Sequence, residues 1–410
     1  MELFYADTGN GVAKKWSDLL TELRQVKDYS PYCQESDFYL IFRQIIVSML
    51  LEREIVLLDS DFSTKETERL LGDSSFVTRT MPTGHLLATI QTKEELLERL
   101  KQVGSSWKIT LFTSGTTGLP KKVSHSFQSI TRFVKTSEMH NDNIWGYAYN
   151  PTHMAGIQVF FQALLNGNPI IRLFGLPKEQ ILQSITDYSI SNISATPTFY
   201  RLLLPSNELY PTVARITSGG EKFDEKTSIL LKQVFPNARV TNVYASTEAG
   251  TLLAAKGNEF SIKDEFADFI KIENDELLIH KSLMGTSEAI NSEWYHTGDL
   301  VEIVSENPVR FKFLSRKNEM INVGGYKVNP TEVEETMREI SGVADVRVFA
   351  KSNSVLGNII CCEVVRNSPA LDESTIRNQL QTKLQEFKIP RMVRFVDVLS
   401  TTRTGKIKRN

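Results

Sequence analysis

Apolar and polar positions along the 410-residue chain follow two periods. Around Phe42, Ile45, Ile46 and Met49 the apolar residues recur at helical spacing, and "EIVLLDSD" (54–61) follows as a short continuous run of the kind that forms a buried strand. The same alternation returns as "NPIIRLFG" (168–175), the helical "PKEQILQSITDYSI" (177–190), "SNISATPT" (191–198) and the helix-like "FYRLLL" (199–204). It continues through "ARITSGGE" (214–221), a helix over roughly 224 to 235, and "ARVTNVYASTEAG" (238–250). Each strand runs out into a turn rich in Gly, Ser or Thr. The pattern predicts an α/β fold, a large domain of mainly parallel, helix-flanked sheet whose polar turns gather along one edge.

Toward residue 317 the period shortens. "ELLIHKSL" (276–283), "LVEIVS" (300–305) and "VRFKFLSR" (309–316) alternate as short antiparallel strands that close the large domain. A compact α+β piece follows, which divides the chain into a domain over 1–317 and a small lid over 318–410. In the lid, Asn329 caps a helix with Pro330 at its first position, and Val333, Met337 and Ile340 share one face. "DVRVFA" and "NIICCEVV" read as strands, a second helix begins near Asp372 with Ile376, Leu380, Leu384 and Phe387 on its buried stripe, and "RMVRFVDVL" completes the sheet.

Composition narrows the class of partner. With 41% hydrophobic and 23% charged residues the chain is that of an ordinary globular protein, and 47 basic against 49 acidic residues leave a formal charge of -2. Neither nucleic acid nor an anionic membrane is suggested, so the expected partner is a small molecule. The three cysteines, Cys33, Cys361 and Cys362, have no metal-ligand spacing and form no disulfide framework. The N-terminal stretch lacks a basic segment followed by an apolar one, and "LIFRQIIVSMLL" is too short to span a bilayer, so a cytoplasmic location is expected.

The densest candidate chemistry is "TSGTTGLPKKV" (113–123). Glycines, hydroxyls and lysines together suit a phosphate, because backbone N–H groups can turn inward while side chains add donors. The spacing is not that of a Walker A loop, since Pro120 precedes Lys121 and Lys122. "WKITLF" (107–112) places the loop at the end of a strand; taken alone, a polar turn between strand and helix is an equal alternative.

Five stretches in order, "TSGTTGLPKKV", "SGGEKF", "YASTE", "YHTGDL" and "FLSRKNEMINVGGYKVNPTEVEE", together with "TGKIKR" near the C-terminus, resemble the adenylate-forming superfamily of acyl- and aryl-CoA synthetases, peptide-synthetase adenylation domains and luciferases. Within it, the chain resembles the o-succinylbenzoate-CoA and aryl-CoA ligases. The resemblance runs from about residue 107 to the end; the region before it matches only in α/β texture and is shorter than the family usually has.

The resemblance implies an enzyme that joins a carboxylic acid, possibly aromatic, to the α-phosphate of ATP and then transfers the acyl group to the thiol of CoA. The same thiol arm on a separate acyl carrier protein is the alternative acceptor, and a non-catalytic nucleotide-binding scaffold is the alternative of another class. ATP, Mg²⁺ and CoA are the implied cofactors. The implied phosphate loop is Thr113, Ser114, Gly115, Thr116, Thr117 and Gly118 with Lys121; Lys122 stands where many relatives have glycine. Gly219, Gly220 and Glu221 would line the adenine pocket, Tyr244 stack on adenine, Thr247 contact the α-phosphate and Glu248 bind the metal. Asp299 would take the ribose hydroxyls with Arg316 beside it, and His153 would lie near the substrate carboxylate. Lys406 would bridge carboxylate and α-phosphate during adenylation, Gly324 and Gly325 line the thiol tunnel, and Asn318 act as hinge. Phe160 and Phe161 are candidates for a pocket wall, with core packing as the alternative, and the absence of an Asp before that helix disfavours an amino-acid substrate.

Overall fold

The computed structural model describes residues 2–72, 80–84, 87–113, 120–288, 290–317, 319–323, 326–353, 357–402 and 407. Its largest sheet has eight strands, in the spatial order Gly250–Ala255, Arg239–Ser246, Arg215–Gly219, Asn192–Ala195, Trp145–Tyr147, Ile170–Arg172, Leu3–Asp7 and Val12–Lys15. The inner neighbours pair in parallel, and the two outermost strands are antiparallel to theirs. The C-terminal ends of the parallel strands therefore open on one edge, where an open α/β sheet binds its ligands.

A four-stranded sheet stands against it, ordered Tyr32–Cys33, Ile55–Leu57, Lys108–Thr113 and Lys121–Ser126. Its last pair is antiparallel, with Thr113 opposite Lys121 and Lys108 opposite Ser126. The stretch "SGTTGL" thus lies between two strands that pair side by side, so the alternative of a turn between strand and helix gives way to one with a strand on either side. The reason lies in "KKVSHS": Val123 and His125 alternate inward while Lys121 and Lys122 stay exposed, the period of a half-buried strand.

The helix Met154–Leu164 lies between the two sheets and is buried nearly all round. Phe160 stacks on Phe42 with ring centroids 4.5 Å apart, and Phe161 meets Trp107 and Phe127 edge-on. Both phenylalanines are fully buried members of the main core, so the pocket-wall reading gives way to core packing. Gly156 permits this fit: a Cβ there would stand 2.3 Å from the carbonyl oxygen of Asn150 and 2.5 Å from the Tyr147 hydroxyl.

An antiparallel sheet of Phe260–Ser261, Val309–Arg316, Trp294–Glu306, Glu276–His280 and Ile270–Glu273 closes the large domain around its own cluster, which includes Phe311 and Leu277. Beyond it, the hairpin Ile321–Val323 and Tyr326–Val328, the helix Pro330–Arg338 and the sheet of Val343–Asn353, Gly357–Arg366 and Met392–Phe395 surround a separate core of Val333, Met337, Ile376 and Leu380. Asn329 caps the helix as expected, its side chain accepting from the Thr331 N–H. Leu384 and Phe387 pack on this core from beyond the end of the second helix, Glu373–Gln381. No helix among the described residues is long and apolar enough to cross a membrane.

Candidate active site

The strand Arg239–Ser246 leads directly into the turn that carries Thr247 and Glu248. Within it, Tyr244 stacks on Phe313 of the neighbouring antiparallel sheet, centroids 4.4 Å apart, and its hydroxyl donates to Asp299 Oδ2 over 2.7 Å. The other carboxylate oxygen of Asp299 accepts from Arg316 Nε at 2.8 Å, and Asp299 faces Arg316 across paired strands. Burial, reinforced by the Asp299 carboxylate, raises the Tyr244 phenol well above its ordinary pKa and keeps it a donor. Asp299 is only 7% exposed, while its partner Arg316 is half exposed. Each oxygen keeps a second lone pair for a diol.

The turn after Tyr244 is held from behind by two backbone contacts. His125 Nε2 lies 2.8 Å from the Thr247 carbonyl oxygen, and the Gly285 N–H donates to the Glu248 carbonyl over 2.6 Å. His125 is 1% exposed, and burial pushes its pKa down to about 4, so at neutral pH it carries one ring proton. Because a carbonyl can only accept, that proton is on Nε2, and Nδ1 accepts from the Ser129 hydroxyl at 3.0 Å. Gly285 must be small here, since a Cβ would lie 2.6 Å from His125 Cε1. The Thr247 and Glu248 side chains, both partly exposed, are thereby supported by backbone fixed on the opposite side.

His153 is the N-cap residue of the helix Met154–Leu164, and its Nε2 stands 3.2 Å from Asp59 Oδ1, within ion-pair distance but out of line for a hydrogen bond. Asp59 is buried at the end of "LLD" and also accepts from the Thr152 hydroxyl. Sequence reasoning missed both Asp59 and His125. The signals were present: Asp59 closes an apolar strand, and His125 alternates with Val123 on the inner face of another.

Gly219 ends its strand and Gly220 follows with φ +83°, as a sharp turn requires. The Glu221 side chain turns to other work. Its Oε2 accepts from the Thr198 N–H at 3.1 Å and hydroxyl at 2.7 Å, while Oε1 accepts from the backbone N–H of Ile407 at 3.0 Å. Lys121 is exposed at the start of its strand, opposite Thr113. Ser114, Gly115, Thr116, Thr117 and Gly118 of the loop, the hinge residue Asn318, Gly324 and Gly325 of the tunnel, and Lys406 lie outside the described residues, as does the side chain of Thr113.

Near this edge a cavity of about 380 Å³ is lined by Phe174, Ile181, Thr196, Phe199, Thr401 and Thr402. Among the described residues no group of three His, Cys, Asp or Glu side chains could hold a metal alone. A lone Glu248 suits Mg²⁺ nevertheless, because that ion takes one or two carboxylates and completes its shell with phosphate and water.

The fold and this edge define an adenylate-forming architecture. Compared with solved structures, the chain covers 94% of o-succinylbenzoate CoA synthetase (MenE) from Bacillus subtilis in complex with its acyl-adenylate, with TM-score 0.69, 18% identity and 99% of this chain aligned. It covers 92% of the anthranilate CoA ligase AuaEII in complex with anthranoyl-AMP, with TM-score 0.73, 15% identity and again 99% of this chain. These likenesses establish the fold. Residues 58–267 match the AMP-binding enzyme family and residues 332–406 the AMP-binding enzyme C-terminal domain, and the chain belongs to that family. Among its relatives, a 2-succinylbenzoate–CoA ligase of Listeria innocua is 26% identical over 324 residues, spanning 73% of this chain and 68% of that protein. The mitochondrial acyl-coenzyme A synthetase ACSM1 of Mus musculus is 26% identical over 348 residues, spanning 73% and 60%.

Proposed function

We propose that the protein is an ATP-dependent acid–thiol ligase, which converts a carboxylic acid to its adenylate with release of pyrophosphate and then to a CoA thioester with release of AMP. The observation that carries this reading is the cluster of Tyr244, Asp299 and Arg316 built onto the same strand end as Thr247 and Glu248. Through the Tyr244–Asp299 bond it ties a diol acceptor on the antiparallel sheet to the turn that follows a strand of the eight-stranded sheet. Asp299 receives the ribose, Tyr244 and Arg316 hold its carboxylate in place, and the Thr247 hydroxyl donates to the α-phosphate where charge develops. Mg²⁺, when bound, is held by Glu248 and neutralises phosphate charge.

Lys406 supplies the ammonium that bridges carboxylate and α-phosphate, Lys121 and the loop from Thr113 to Gly118 take the leaving phosphates, and His153, backed by Asp59, lies beside the acid. The lid over 318–410 turns about Asn318 between the two half-reactions, and the glycine pair Gly324 and Gly325 then admits the thiol arm. The relatives named above are ligases that use CoA, which supports CoA over a carrier protein as acceptor. Three of them are named for aryl acids, which supports an aryl or medium-sized apolar acid here, and the cavity lined by Phe174 and Phe199 suits such a group. Pyrophosphate release with ATP, Mg²⁺ and a panel of aryl and aliphatic acids, followed by thioester formation with CoA, tests the reading. No release with any acid, while ATP still binds, would refute it.

A further inference from the structure

We infer that Glu221 is the docking post of the C-terminal tail, a positioning residue for the adenylation half-reaction that acts through the backbone of Ile407. Its functional consequence rests on the ligase reading above; the docking itself does not. The resemblance assigns Glu221 to the adenine pocket, but its side chain makes different bonds. One carboxylate oxygen serves its own domain, taking the N–H and hydroxyl of Thr198 at the start of the helix Pro197–Leu203. The other takes the Ile407 N–H at 3.0 Å, from a residue 186 positions away in the chain.

Ile407 also pairs with Thr401 in an isolated antiparallel bridge, so the residue that Glu221 grips is tied to Thr401 as well. The gripped residue is the immediate neighbour of Lys406. A backbone contact at that position sets where the tail lies whatever its side chains do, and it can exist only when the lid is turned this way. The same face of the large domain also receives the lid directly: Lys222, next to Glu221, reaches Glu335 at 2.9 Å, and Lys226 donates to the Arg338 carbonyl at 2.6 Å.

The chemistry of the post requires a carboxylate. Every group that reaches it brings a proton: the Thr198 N–H and hydroxyl and the Ile407 N–H as hydrogen bonds, and the Arg201 guanidinium as an ion pair 3.8 Å from Oε2. A carboxylate accepts on both oxygens, whereas an amide of the same shape has one accepting end and one donating end. Glu221→Gln therefore keeps the volume and, with its oxygen on Thr198, keeps the two bonds within the large domain. It turns an NH₂ group toward the Ile407 N–H and so breaks the tail contact, the one other change being the lost charge opposite Arg201, 3.8 Å from Oε2.

Hydrogen exchange read by mass spectrometry on the full chain, over peptides spanning 401–410, measures the contact without any substrate. Wild-type protein should protect the Ile407 amide, and Glu221→Gln should lose about ten- to a hundredfold of that protection, the loss of one hydrogen bond to a charged group. An Ile407 amide that exchanges as in a free peptide in the wild type, or protection unchanged in Glu221→Gln, overturns the docking. The kinetic arm uses the acid that wild-type protein activates in the panel above. Glu221→Gln and Ile407→Pro, which lacks the donated N–H, should each slow pyrophosphate release by about ten- to a hundredfold and spare thioester formation from preformed acyl-adenylate. Equal loss in both steps, or a raised KM for ATP with unchanged kcat, would return Glu221 to the fold or to the adenine pocket. Lys406→Ala separates the two failures: if it leaves pyrophosphate release intact, the ligase reading falls, while the exchange result still decides the docking.

Discussion

Arg201 of the large domain and Asp345 of the small one meet at 3.1 Å, with side chains 9% and 15% exposed. Asp345 also accepts from Arg338 Nε at 3.1 Å, and Arg201 reaches Asp224 at 3.4 Å, so one buried network spans the two domains. Burial alone would raise the Asp345 pKa; the two guanidinium groups outweigh it and hold the carboxyl below its ordinary range. The network's contribution is therefore present above the unfolded aspartate pKa of about 3.9 and lost as pH falls through the lower folded value. Wild-type protein should keep the lid docked from neutral pH down to about pH 4 and release it below that. Arg201→Met leaves Asp345 one cation short and should loosen the lid already at neutral pH, seen as a larger radius of gyration in solution scattering. An unchanged radius at both pH values would show that the lid is held elsewhere.

His125 supports the Thr247 carbonyl with a single N–H, and a glutamine can present an equivalent donor. His125→Ala should lower the rate of pyrophosphate release by about tenfold and raise the Mg²⁺ concentration needed, with His125→Gln restoring most of both. Gly285→Ala should resemble His125→Ala, because its Cβ would meet the imidazole at 2.6 Å. If alanine and glutamine variants at 125 behave alike, the hydrogen bond to Thr247 is not what matters.

The same histidine makes stability depend on pH. Its folded pKa of about 4 lies below the ordinary value, so the unfolded chain binds the extra proton first. Stability from this group is complete above about pH 6.5 and declines as pH falls toward 4, by on the order of 3 kcal/mol in all. Urea unfolding at several pH values should show that slope in the wild type and a flatter one in His125→Gln.

Phe160 is fully buried and stacked on Phe42. Phe160→Ala should cost about 3–5 kcal/mol in urea unfolding and leave the order of preference among acids unchanged. A switch in acid preference without loss of stability would restore Phe160 to a pocket wall.

The large outlines were legible because they rest on local patterns. Asn329 and Pro330 announce a helix start in two adjacent residues, and "ARITSGGE" shows its strand and turn together. What escaped depends on distant partners. Two lysines at the head of "KKVSHS" hide a strand whose inward face is visible only in Val123 and His125. Phe160 and Phe161 at helical spacing say that a face is covered, not whether protein or substrate covers it, and here a second sheet does. Tyr244 and Asp299 were marked from the resemblance, yet the bond between them joins two different sheets. Glu221 was marked as well, but its carboxylate is held between Thr198 and a residue at the far end of the chain.

The division of apolar cores has a calorimetric consequence. Ile55 and Ile109 of one sheet and Phe4 and Ile170 of the other share a single core, so these two sheets should melt together although no strand joins them. The core around Val333 and Ile376 is separate, and the direct ties from its domain to the rest include the Arg201–Asp345 and Lys222–Glu335 pairs. Ion pairs add little net free energy once desolvation is counted. Heating should accordingly give two endotherms, a smaller one for the lid that shifts with salt and a larger one that does not.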